Sequence, residues 1–513
     1  MIKKWWKRDR IFKKCTVKKS YLIIAMTVML LAEAISLRFI NVRAAESNIS
    51  LNVEAAGNNV EKVKSLANSL YTDNSGIFSS TKGQFTWDTQ KNDKSWTYYN
   101  GIMMQAYLMI NRETYLPSVN AFFDNNLCDD LITRKIDGKD TIYYDQANGV
   151  TFGYVNNTSA ADNYYRPNEL DSIPPTRVLF DLLPDTSGTV SYTQKAKYIK
   201  MIEYVNEIMQ SSKWTVQNSS NQAVAVGGNV RHKYNNDGWS TYQVALDSLY
   251  MSQPFFMELA HGLDDGLFNS SNKLKNLNSS MIYDAVCNRM IWIGNNFYDS
   301  NTGLYNHGWG PDAGLNGHFW SRATGWYAAA LADVITMMPD SYASQRSSLV
   351  GIATRLFDGM IDYQDVDTGM WYNVTNRDYT LTDGSGNKLE SSGSALMAYA
   401  MMKLYDEGYV GEKYGMAGLK AFNGTVKNKV TAQGLIDVYI SSGVSTTDEG
   451  YLQKDYKVNE AKGVGPLIMA ACYANSVAEK LKNSYTNPLV PDNAQEKLET
   501  PTNAASAAPK KNW

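Results

Sequence analysis

The 513-residue sequence lacks the motifs that mark several common enzyme classes. It contains no Walker A motif, no glycine-rich dinucleotide-binding motif, no GxSxG and no HExxH, so it gives no support for nucleotide hydrolysis, hydride transfer or zinc proteolysis. Cysteine is also scarce. The four cysteines (Cys15, Cys128, Cys287 and Cys472) lie far apart without a CxxC pair, so we expect neither a disulfide framework nor a zinc site.

Long apolar runs are rare, and the one near the N-terminus, Tyr21–Ala32, is too short for a comfortable membrane span. It follows a strongly basic stretch and precedes a small-residue site at Val42–Ala44. Residues 1–44 are therefore predicted to be a secretory signal cleaved before Ala45, with an uncleaved N-terminal anchor as the alternative. In either case we expect a secreted or cell-surface protein.

Acidic residues outnumber basic ones once residues 1–44 are set aside. The rest of the chain has 38 Lys and Arg against 49 Asp and Glu, a net charge of −11. Such an acidic chain is unsuited to nucleic acid as its main partner. Contact with a membrane is expected only through the N-terminal segment, if that segment stays uncleaved.

Apolar residues recur with the helical period in twelve stretches separated by loops. Twelve helices in successive pairs predict an all-α fold, a closed (α/α)6 barrel with an inner and an outer ring. A solenoid of helical hairpins is the competing all-α fold, but the sequence shows no fixed repeat. The predicted helices span residues 60–72, 100–111, 115–128, 171–183, 192–211, 241–262, 279–297, 322–338, 345–363, 391–407, 414–427 and 464–482.

The chain is predicted to consist of a polar leader at residues 45–59, the barrel at residues 60–484 and a disordered Pro/Ala-rich tail at residues 485–513. Strand signals are sparse. The aromatic pieces at residues 141–145 and 370–374 are expected to form hairpins in loops.

One carboxylate lies in unusual surroundings. Asp247 is flanked by Leu246 and Leu249 in a predicted helix with an apolar face. An isolated buried charge is too costly, so this carboxylate must be solvated, paired or held neutral. Taken alone, the segment favours an exposed aspartate on the polar side of the helix.

Several loops before predicted helices contain polar residues with more than one interpretation. Asp171 opens a helix and is either its N-cap or a catalytic residue. His232 and Lys233 are either a surface pair or part of a site, in a chain with only four histidines. The helix starts at Glu390–Ser392 and Gly463–Gly465 have capping and small residues, and both are interpreted as mainly structural.

A second polar and aromatic group follows in a Gly-rich turn and in the helix after it. His307 and Trp309 lie in the turn, while Trp320, Arg322 and Trp326 lead into an Ala-rich helix. An arginine between tryptophans is either a cation–π pair without function or a guanidinium that binds a carboxylate between aromatic walls. Carboxylates, histidines, an arginine and tryptophans on loops above a helical toroid suit an acidic sugar.

Seven short motifs follow one another along the chain: LDS (170–172), HK (232–233), LDSLYM (246–251), NHGW (306–309), WSRATGW (320–326), LESSGSA (389–395) and KGVGP (462–466). Their order resembles glycoside hydrolase families 88 and 105, the unsaturated glucuronyl and rhamnogalacturonyl hydrolases. The resemblance runs from about Val60 to Lys482, and the order of the motifs is more specific than any one of them. It implies an (α/α)6 barrel.

The resemblance also implies a substrate left by a polysaccharide lyase, an oligosaccharide that ends in a 4,5-unsaturated uronic acid. This sugar reacts as a vinyl ether: an acid protonates C4, water adds at C5, and the resulting hemiketal opens and expels the rest of the chain. By resemblance Asp247 is the acid and base, with a pKa raised by Leu246 and Leu249. No metal or organic cofactor is expected.

By the same resemblance Asp171 is the second carboxylate. Arg322 is expected to bind the uronate carboxylate, with Lys233 as the alternative. The predicted substrate is an unsaturated rhamnogalacturonan fragment. The alternatives are a hydrolase of other unsaturated glucuronyl oligosaccharides, a non-catalytic sugar-binding protein and a lyase on the same toroid. The residues expected around the sugar are His232, Lys233, His307, Trp309, Trp320, Arg322 and Trp326.

Overall fold

The computed structural model describes residues 52–71, 78–79, 84–85, 97–127, 133–136, 139–142, 169–233, 241–377, 386–440 and 443–486. The chain divides into two units, residues 1–54 and 55–513, and the barrel described below belongs to the second. The predicted signal or anchor at residues 1–44 lies outside the described residues, so export stays a prediction. Within the described ranges, no helix is long and apolar enough to cross a membrane.

Each of the twelve predicted helical stretches is helical in the structure. The helices are α1 (52–71), α2 (Tyr98–Asn126), α3 (Pro174–Arg177), α4 (Leu179–Leu182), α5 (Tyr192–Met209), α6 (Asp247–Asp264), α7 (Ser279–Asn296), α8 (Ser321–Met337), α9 (Ala343–Asp362), α10 (Ser391–Asp406), α11 (Glu412–Lys429) and α12 (Ala461–Thr486). The two short helices α3 and α4 replace the single helix predicted at residues 171–183.

Two helices begin at residues other than those predicted. Helix α1 begins at residue 52 rather than 60, because its buried face already starts at Ala56 and continues through Val60. Part of the predicted polar leader is therefore helical. Helix α6 begins at Asp247 rather than at residue 241, because Val244 and Ala245 pair as a strand. Asp247 thus lies in the first helical turn, where the helix dipole favours a negative charge.

The helices form two concentric rings. The inner ring consists of the first half of α2, the α3–α4 pair, α6, α8, α10 and α12, each in contact with the next. Contact between α12 and α2 closes this ring, which rules out an open solenoid. The outer ring consists of α1, the second half of α2, α5, α7, α9 and α11. The predicted (α/α)6 barrel is confirmed.

Helix α2 belongs to both rings because it is kinked at Asn111. The backbone of Asn111 is non-helical (φ −161°, ψ 86°), and its side chain accepts a hydrogen bond of 3.1 Å from the Thr114 amide, as an N-cap residue does. Before the kink, Gly101 abuts Pro174 of α3. After it, Asn120 accepts a hydrogen bond of 2.6 Å from a tyrosine of α5.

Burial distinguishes inner from outer helices. In α8 every residue from Ser321 to Ile335 is buried, as expected of a helix surrounded by neighbours on all sides. Gly325 allows α10 to approach closely, since a Cβ at this position would lie 2.8 Å from the Leu396 Cβ. The outer helix α9 instead buries one face, on which Leu349 and Leu356 lie seven residues apart.

Short strands connect the helices. They are β1 (Phe78–Ser79), β2 (Gln84–Phe85), β3 (Thr133–Ile136), β4 (Lys139–Ile142), β5 (Val244–Ala245), β6 (Tyr298–Asp299), β7 (Leu304–Tyr305), β8 (Gly308–Gly310), β9 (Gly314–Leu315), β10 (Val430–Thr431), β11 (Gly434–Leu435), β12 (Val438–Tyr439) and β13 (Tyr456–Lys457). β5, β8 and β9 form a three-stranded antiparallel sheet, and the others pair in twos.

The structure covers the two predicted hairpin segments to different extents. Residues 141–142 belong to β4, and residues 143–145 lie outside the described part of the chain. The piece at residues 370–374 forms no regular strand but makes isolated antiparallel bridges, from Tyr372 to Leu389 and from Val374 to Trp320. These bridges connect the segment to the residues just before α8 and α10.

Candidate active site

The N-terminal ends of the inner helices meet at one end of the barrel. Arg322 at the start of α8 lies 3.8 Å from Glu390, which caps α10. Lys462 at the start of α12 lies 3.5 Å from the Tyr99 hydroxyl at the start of α2. Asp247 begins α6. The positive ends of the helix dipoles therefore converge, and this end of the barrel favours anions.

Asp247 is paired with His307. Its Oδ2 lies 2.8 Å from the His307 Nε2, and both side chains are buried. The pairing of β5 with β8 fixes this contact, because Ala245 lies opposite Gly308, the residue after His307. The main-chain amide of Leu246 also donates a hydrogen bond of 3.0 Å to the His307 carbonyl, which extends the pairing of β5 with β8.

Hydrogen bonds around Tyr451 determine which nitrogen of His307 carries the proton. The Asn316 Oδ1 accepts from the Gly308 amide (3.1 Å), so its Nδ2 faces Tyr451. The Tyr451 oxygen accepts from that Nδ2 (3.1 Å) and from the Ser445 amide (3.0 Å). Its own hydrogen is then left for the His307 Nδ1, at 2.7 Å. His307 therefore carries hydrogen on Nε2 and donates it to the carboxylate that begins α6.

A second carboxylate–histidine pair lies beside the first. The Asp171 Oδ1 is 3.2 Å from the His232 Nε2, and the His232 Nδ1 is 3.1 Å from the Ser248 hydroxyl. Asp171 lies in a 3-10 turn, Leu170–Ser172, and the N-cap of α3 is Ile173. The interpretation of Asp171 as the cap of that helix is therefore wrong. In both pairs Nε2 faces a carboxylate and Nδ1 faces a hydroxyl.

The predicted rise in the pKa of Asp247 is wrong for the free protein. Burial does raise the pKa of this carboxyl, as its neighbours Leu246 and Leu249 suggested. The electrostatic attraction of His307, its hydrogen bond to the carboxylate, and then His232 lower the pKa by more, so the net direction is downward. Asp247 is therefore a carboxylate at neutral pH before substrate binds.

Arg322 is fully buried and held from several sides. Its guanidinium lies 4.3 Å from the Trp320 ring centre and donates to the Tyr439 carbonyl. The cap predicted at Glu390 is confirmed, since its carboxylate accepts from the Gly393 amide at 2.7 Å. The same carboxylate also accepts from the Tyr439 amide (3.0 Å), so Glu390 is fixed beside the guanidinium.

Lys462 was missed as a site residue. It is almost fully buried, and its Nζ lies 3.0 Å from the Ile440 carbonyl and 3.2 Å from the Glu460 carboxylate. Burial and, after it, the nearby Arg322 together lower the pKa of Lys462 to about 8, against the opposing effect of Glu460. A lysine in the first turn opposes the helix dipole, and this was the signal in KGVGP that could have identified it.

The three tryptophans predicted to lie around the sugar have different surroundings in the structure. Trp320 stacks on Tyr451 (ring centres 5.7 Å apart, 27° between planes), next to the first carboxylate–histidine pair. Trp326 is buried one turn deeper in α8, against a tyrosine of α6 with ring centres 4.7 Å apart. Trp309 packs instead against Trp292 of the outer helix α7, at 5.6 Å. The ring of Trp320 lies 5.1 Å from that of His307, whereas the ring of Trp309 contacts α7.

The cations near the site differ in how they are compensated. The Lys233 Nζ lies 2.5 Å from the Glu169 Oε2, a direct ion pair that already balances its charge. Arg322 has its carboxylate partner, Glu390, at the longer distance of 3.8 Å.

The described residues contain no group of three or more His, Cys, Asp or Glu side chains that could hold a metal ion.

The hydrogen-bond order at Tyr451 leads to a prediction for Tyr451→Phe. Without the hydroxyl, the His307 Nδ1 loses its donor, and we expect Nδ1-protonated and doubly protonated forms of His307 to appear. Nitrogen-15 NMR should show Nε2-protonated His307 in the wild type and a mixture in the variant, and kcat/KM should be lowered. Tyr439→Phe is the matched control, since the Tyr439 hydroxyl accepts from Lys454 instead. An unchanged His307 spectrum in the variant would reject the assigned proton order.

Comparisons with known proteins agree with this geometry. The sequence profile of Glycosyl Hydrolase Family 88 matches residues 74–477. Protein Atu3128 of Agrobacterium fabrum is 31% identical over 201 residues, which cover 34% of this chain and 82% of that protein. Unsaturated rhamnogalacturonyl hydrolase YesR of Bacillus subtilis is 28% identical over 190 residues, covering 36% of this chain and 50% of that protein.

Solved structures share the fold at lower sequence identity. A family 105 glycoside hydrolase of C. acetobutylicum superposes with a TM-score of 0.59 at 22% identity, covering 82% of this chain and 99% of that chain. A family 88 glycosyl hydrolase from Bacteroides vulgatus gives a TM-score of 0.50 at 17% identity, with 82% and 99% covered. The family profile spans most of the chain, and the barrel is the one these hydrolases have. The chain therefore belongs to glycosyl hydrolase family 88, a family of unsaturated glycuronyl hydrolases.

Proposed function

We propose that this glycoside hydrolase releases the terminal 4,5-unsaturated uronic acid from rhamnogalacturonan fragments left by a polysaccharide lyase. The observation that supports the reaction is the buried Asp247–His307 pair at the anion-favouring end of the barrel. Arg322 and Lys462, at the starts of α8 and α12 at the same end of the barrel, are here called the cationic cluster. The choice of sugar rests on the similarity to YesR, whose name specifies rhamnogalacturonyl hydrolysis.

In the proposed reaction Asp247 first acts as an acid toward carbon. Its proton adds to C4 of the double bond, and positive charge develops at C5 and the ring oxygen. The carboxylate then takes a proton from the water that adds at C5, which restores the acid. The hemiketal opens, and the glycosidic oxygen leaves with the rest of the oligosaccharide, so one water is consumed for each bond cleaved.

The lowered pKa of Asp247 in the free protein requires that the substrate change it. A bound uronate brings a second negative charge into a buried site and excludes water. Both effects disfavour the ionised form of a neighbouring carboxyl and raise its pKa. We therefore propose that Asp247 takes up its proton as the substrate binds.

The cationic cluster is proposed to hold the uronate carboxylate. Arg322 is buried, positively charged and fixed by Glu390 and Trp320, whereas the charge of Lys233 is already balanced by Glu169. Lys462, with a pKa of about 8, is still largely charged at neutral pH. These contacts favour Arg322 over Lys233, with Lys462 beside it in a longer ion pair of 3.2 Å with Glu460.

For Arg322→Lys we expect a higher KM and a kcat/KM lowered roughly 10- to 150-fold, because a hydrogen bond to a charged group contributes about 1.5–3 kcal/mol. Lysine keeps the charge but loses the planar two-point contact. Steady-state kinetics and a thermal melt check both points. Arg346→Lys in the outer helix α9 is the matched control. Kinetics equal to those of the wild type would shift the carboxylate role to Lys462 or Lys233.

Three other functions are weighed against this one. A glucuronyl hydrolase would use the same residues on a different lyase product. A non-catalytic sugar-binding protein has no need of a buried carboxylate beside a histidine of fixed protonation. A lyase would form the double bond that a hydrolase consumes, so the two change the ultraviolet absorbance in opposite directions.

The decisive experiment offers the protein lyase digests of several polyuronides. Absorbance of the conjugated double bond should fall fastest with the rhamnogalacturonan digest. Faster loss with another digest would change the sugar and keep the reaction. An increase in absorbance with intact polymer would establish a lyase, and no change with any digest would leave a binding protein.

A further inference from the structure

A cavity of about 510 Å3 lies on the outer ring, at the exposed side of α7. It is lined by Arg289, Trp292 and the amides Asn288, Asn295 and Asn296, with the turn at Gly227–Gly228 as one wall. None of these residues belongs to the Asp247–His307 pair or to the cationic cluster. Its volume is within the range of roughly 300–1,000 Å3 that small-molecule sites occupy.

Arg289 is a half-buried cation without an acidic partner among the described residues. Its Nε donates to the Gly228 carbonyl (2.8 Å), its NH1 lies 3.5 Å from the Gln253 Oε1, and the guanidinium lies 5.3 Å from the Phe256 ring centre. All three partners are neutral. Burial lowers the pKa of Arg289, and no charged neighbour offsets it. A half-buried guanidinium that contacts only neutral groups among the described residues is suited to bind an anion.

The turn at Gly227–Gly228 and the indole of Trp292, which lie beside Arg289, are held in place by contacts within the protein. Gly227 has φ +62°, and a Cβ at this position would lie 2.4 Å from the Trp292 Cβ, so only glycine lets the turn sit against the indole. Asn229 then ties the turn to α7 through a hydrogen bond of 3.1 Å to the Arg289 carbonyl. Trp292 is held edge-on by Trp309. The cavity therefore needs little ordering when a ligand binds.

We propose that this cavity is a second carbohydrate site that binds a carboxylate-bearing sugar unit. The guanidinium of Arg289 suits the carboxylate, the partly exposed Trp292 offers an aromatic surface to the ring, and the asparagine amides suit hydroxyl groups. Trp309 of β8, two residues after His307, packs against the Trp292 that lines this cavity. The site thus lies where a distant unit of an acidic polymer can be retained.

The test measures binding of saturated trigalacturonate, which has no C4=C5 bond and is not turned over. Isothermal titration with wild type, Arg289→Gln and the control Arg346→Gln is expected to show at least tenfold weaker binding in Arg289→Gln alone. Asn295→Asp is a second variant at an exposed position that places a negative charge beside the same site, and it should weaken binding too. Arg322→Lys, which alters the cationic cluster, should bind trigalacturonate as the wild type does, which separates this site from the active site.

Two results would overturn the proposal. Equal affinities of wild type, Arg289→Gln and Asn295→Asp would show that the cavity does not bind the sugar. Inorganic phosphate that binds the wild type as tightly as trigalacturonate does would show a simple anion site without sugar recognition. Weaker binding of a neutral galactose trimer to the wild type is the remaining expected result, because it lacks the carboxylate.

Discussion

Asp247→Asn is expected to lower kcat by roughly two to four orders of magnitude, the usual contribution of general acid–base catalysis. Asparagine keeps the shape and can still accept the hydrogen bond from His307, so substrate binding should survive. Asp265→Asn, an exposed position just after the end of the same helix, is the matched control. Steady-state kinetics together with direct titration of binding separate the two effects.

The same assignment predicts solvent deuterium at C4 of the product when the wild type works in heavy water. The proton added to carbon comes from a carboxyl group in exchange with solvent. Mass spectrometry or proton NMR of the released sugar detects it. A near-normal rate for Asp247→Asn would reject the assignment and make Asp171, already paired with His232, the next candidate.

The pH dependence follows from the lowered pKa of Asp247. Only the protonated acid starts the reaction, so in the free protein its population falls about tenfold for each pH unit above that pKa. Because kcat/KM reports the free protein, it should fall steadily as pH rises from 5 to 8. Because kcat reports the complex, in which the uronate raises the pKa, it should begin to fall at a higher pH. A kcat/KM that rises with pH would contradict this order.

Helix positions were predictable because they depend on local periodicity. Apolar spacing located twelve helical stretches, and the closed ring followed from their pairing and from the order of motifs. The errors at helix starts have local causes too. A short strand at Val244–Ala245 looks like one more helical turn in a sequence, since its partner Gly308 is more than sixty residues away.

The candidate site was predictable only where chemistry concentrates in a motif. Asp171, His232, Asp247, His307 and Arg322 lie in such motifs, and the structure brings them to one end of the barrel. Which of them contact substrate stays a prediction. Roles that depend on distant partners were hidden: Tyr451 is 144 residues from His307, and nothing in its own segment indicates the contact.

The pKa of Asp247 likewise depends on a partner that is distant in sequence. Leu246 and Leu249 are adjacent in sequence and correctly indicated burial, which raises the pKa. His307 is 60 residues away, and its opposing effect is larger. A prediction from the neighbours in sequence therefore gave the correct burial of Asp247 but the wrong direction for its pKa shift.

Asp333→Asn is expected to destabilise the fold by about 3–5 kcal/mol, the cost of breaking a buried ion pair from one side. Asp333 on α8 is fully buried, 2.8 Å from Arg177 of α3 and 2.7 Å from Lys403 of α10, and it accepts a hydrogen bond of 2.5 Å from Tyr399. The variant leaves two cations without this carboxylate. Chemical denaturation measures the loss, and Asp340→Asn, at an exposed ion pair, should cost less than about 1 kcal/mol.

This loss should depend on pH in a defined direction. Burial opposes ionisation of Asp333, but Lys403 and Arg177 outweigh it, so its pKa in the folded protein lies well below the unfolded value of roughly 3.9. The stabilisation is then complete above that unfolded value and is lost as pH falls through the folded one. The gap between wild type and Asp333→Asn should therefore be constant from pH 5 to 7 and narrow below pH 4.

Replacing all three charges tests why the variant is unstable. If the loss comes from uncompensated cations, Asp333→Leu combined with Arg177→Met and Lys403→Met should recover most of it, because an apolar core of similar volume can equal a buried ion pair. Catalysis should change little in the triple variant if the network only joins three inner helices. A single Asp333→Asn variant within about 1 kcal/mol of the wild type would show that Glu258, 3.7 Å from Arg177, already compensates the guanidinium.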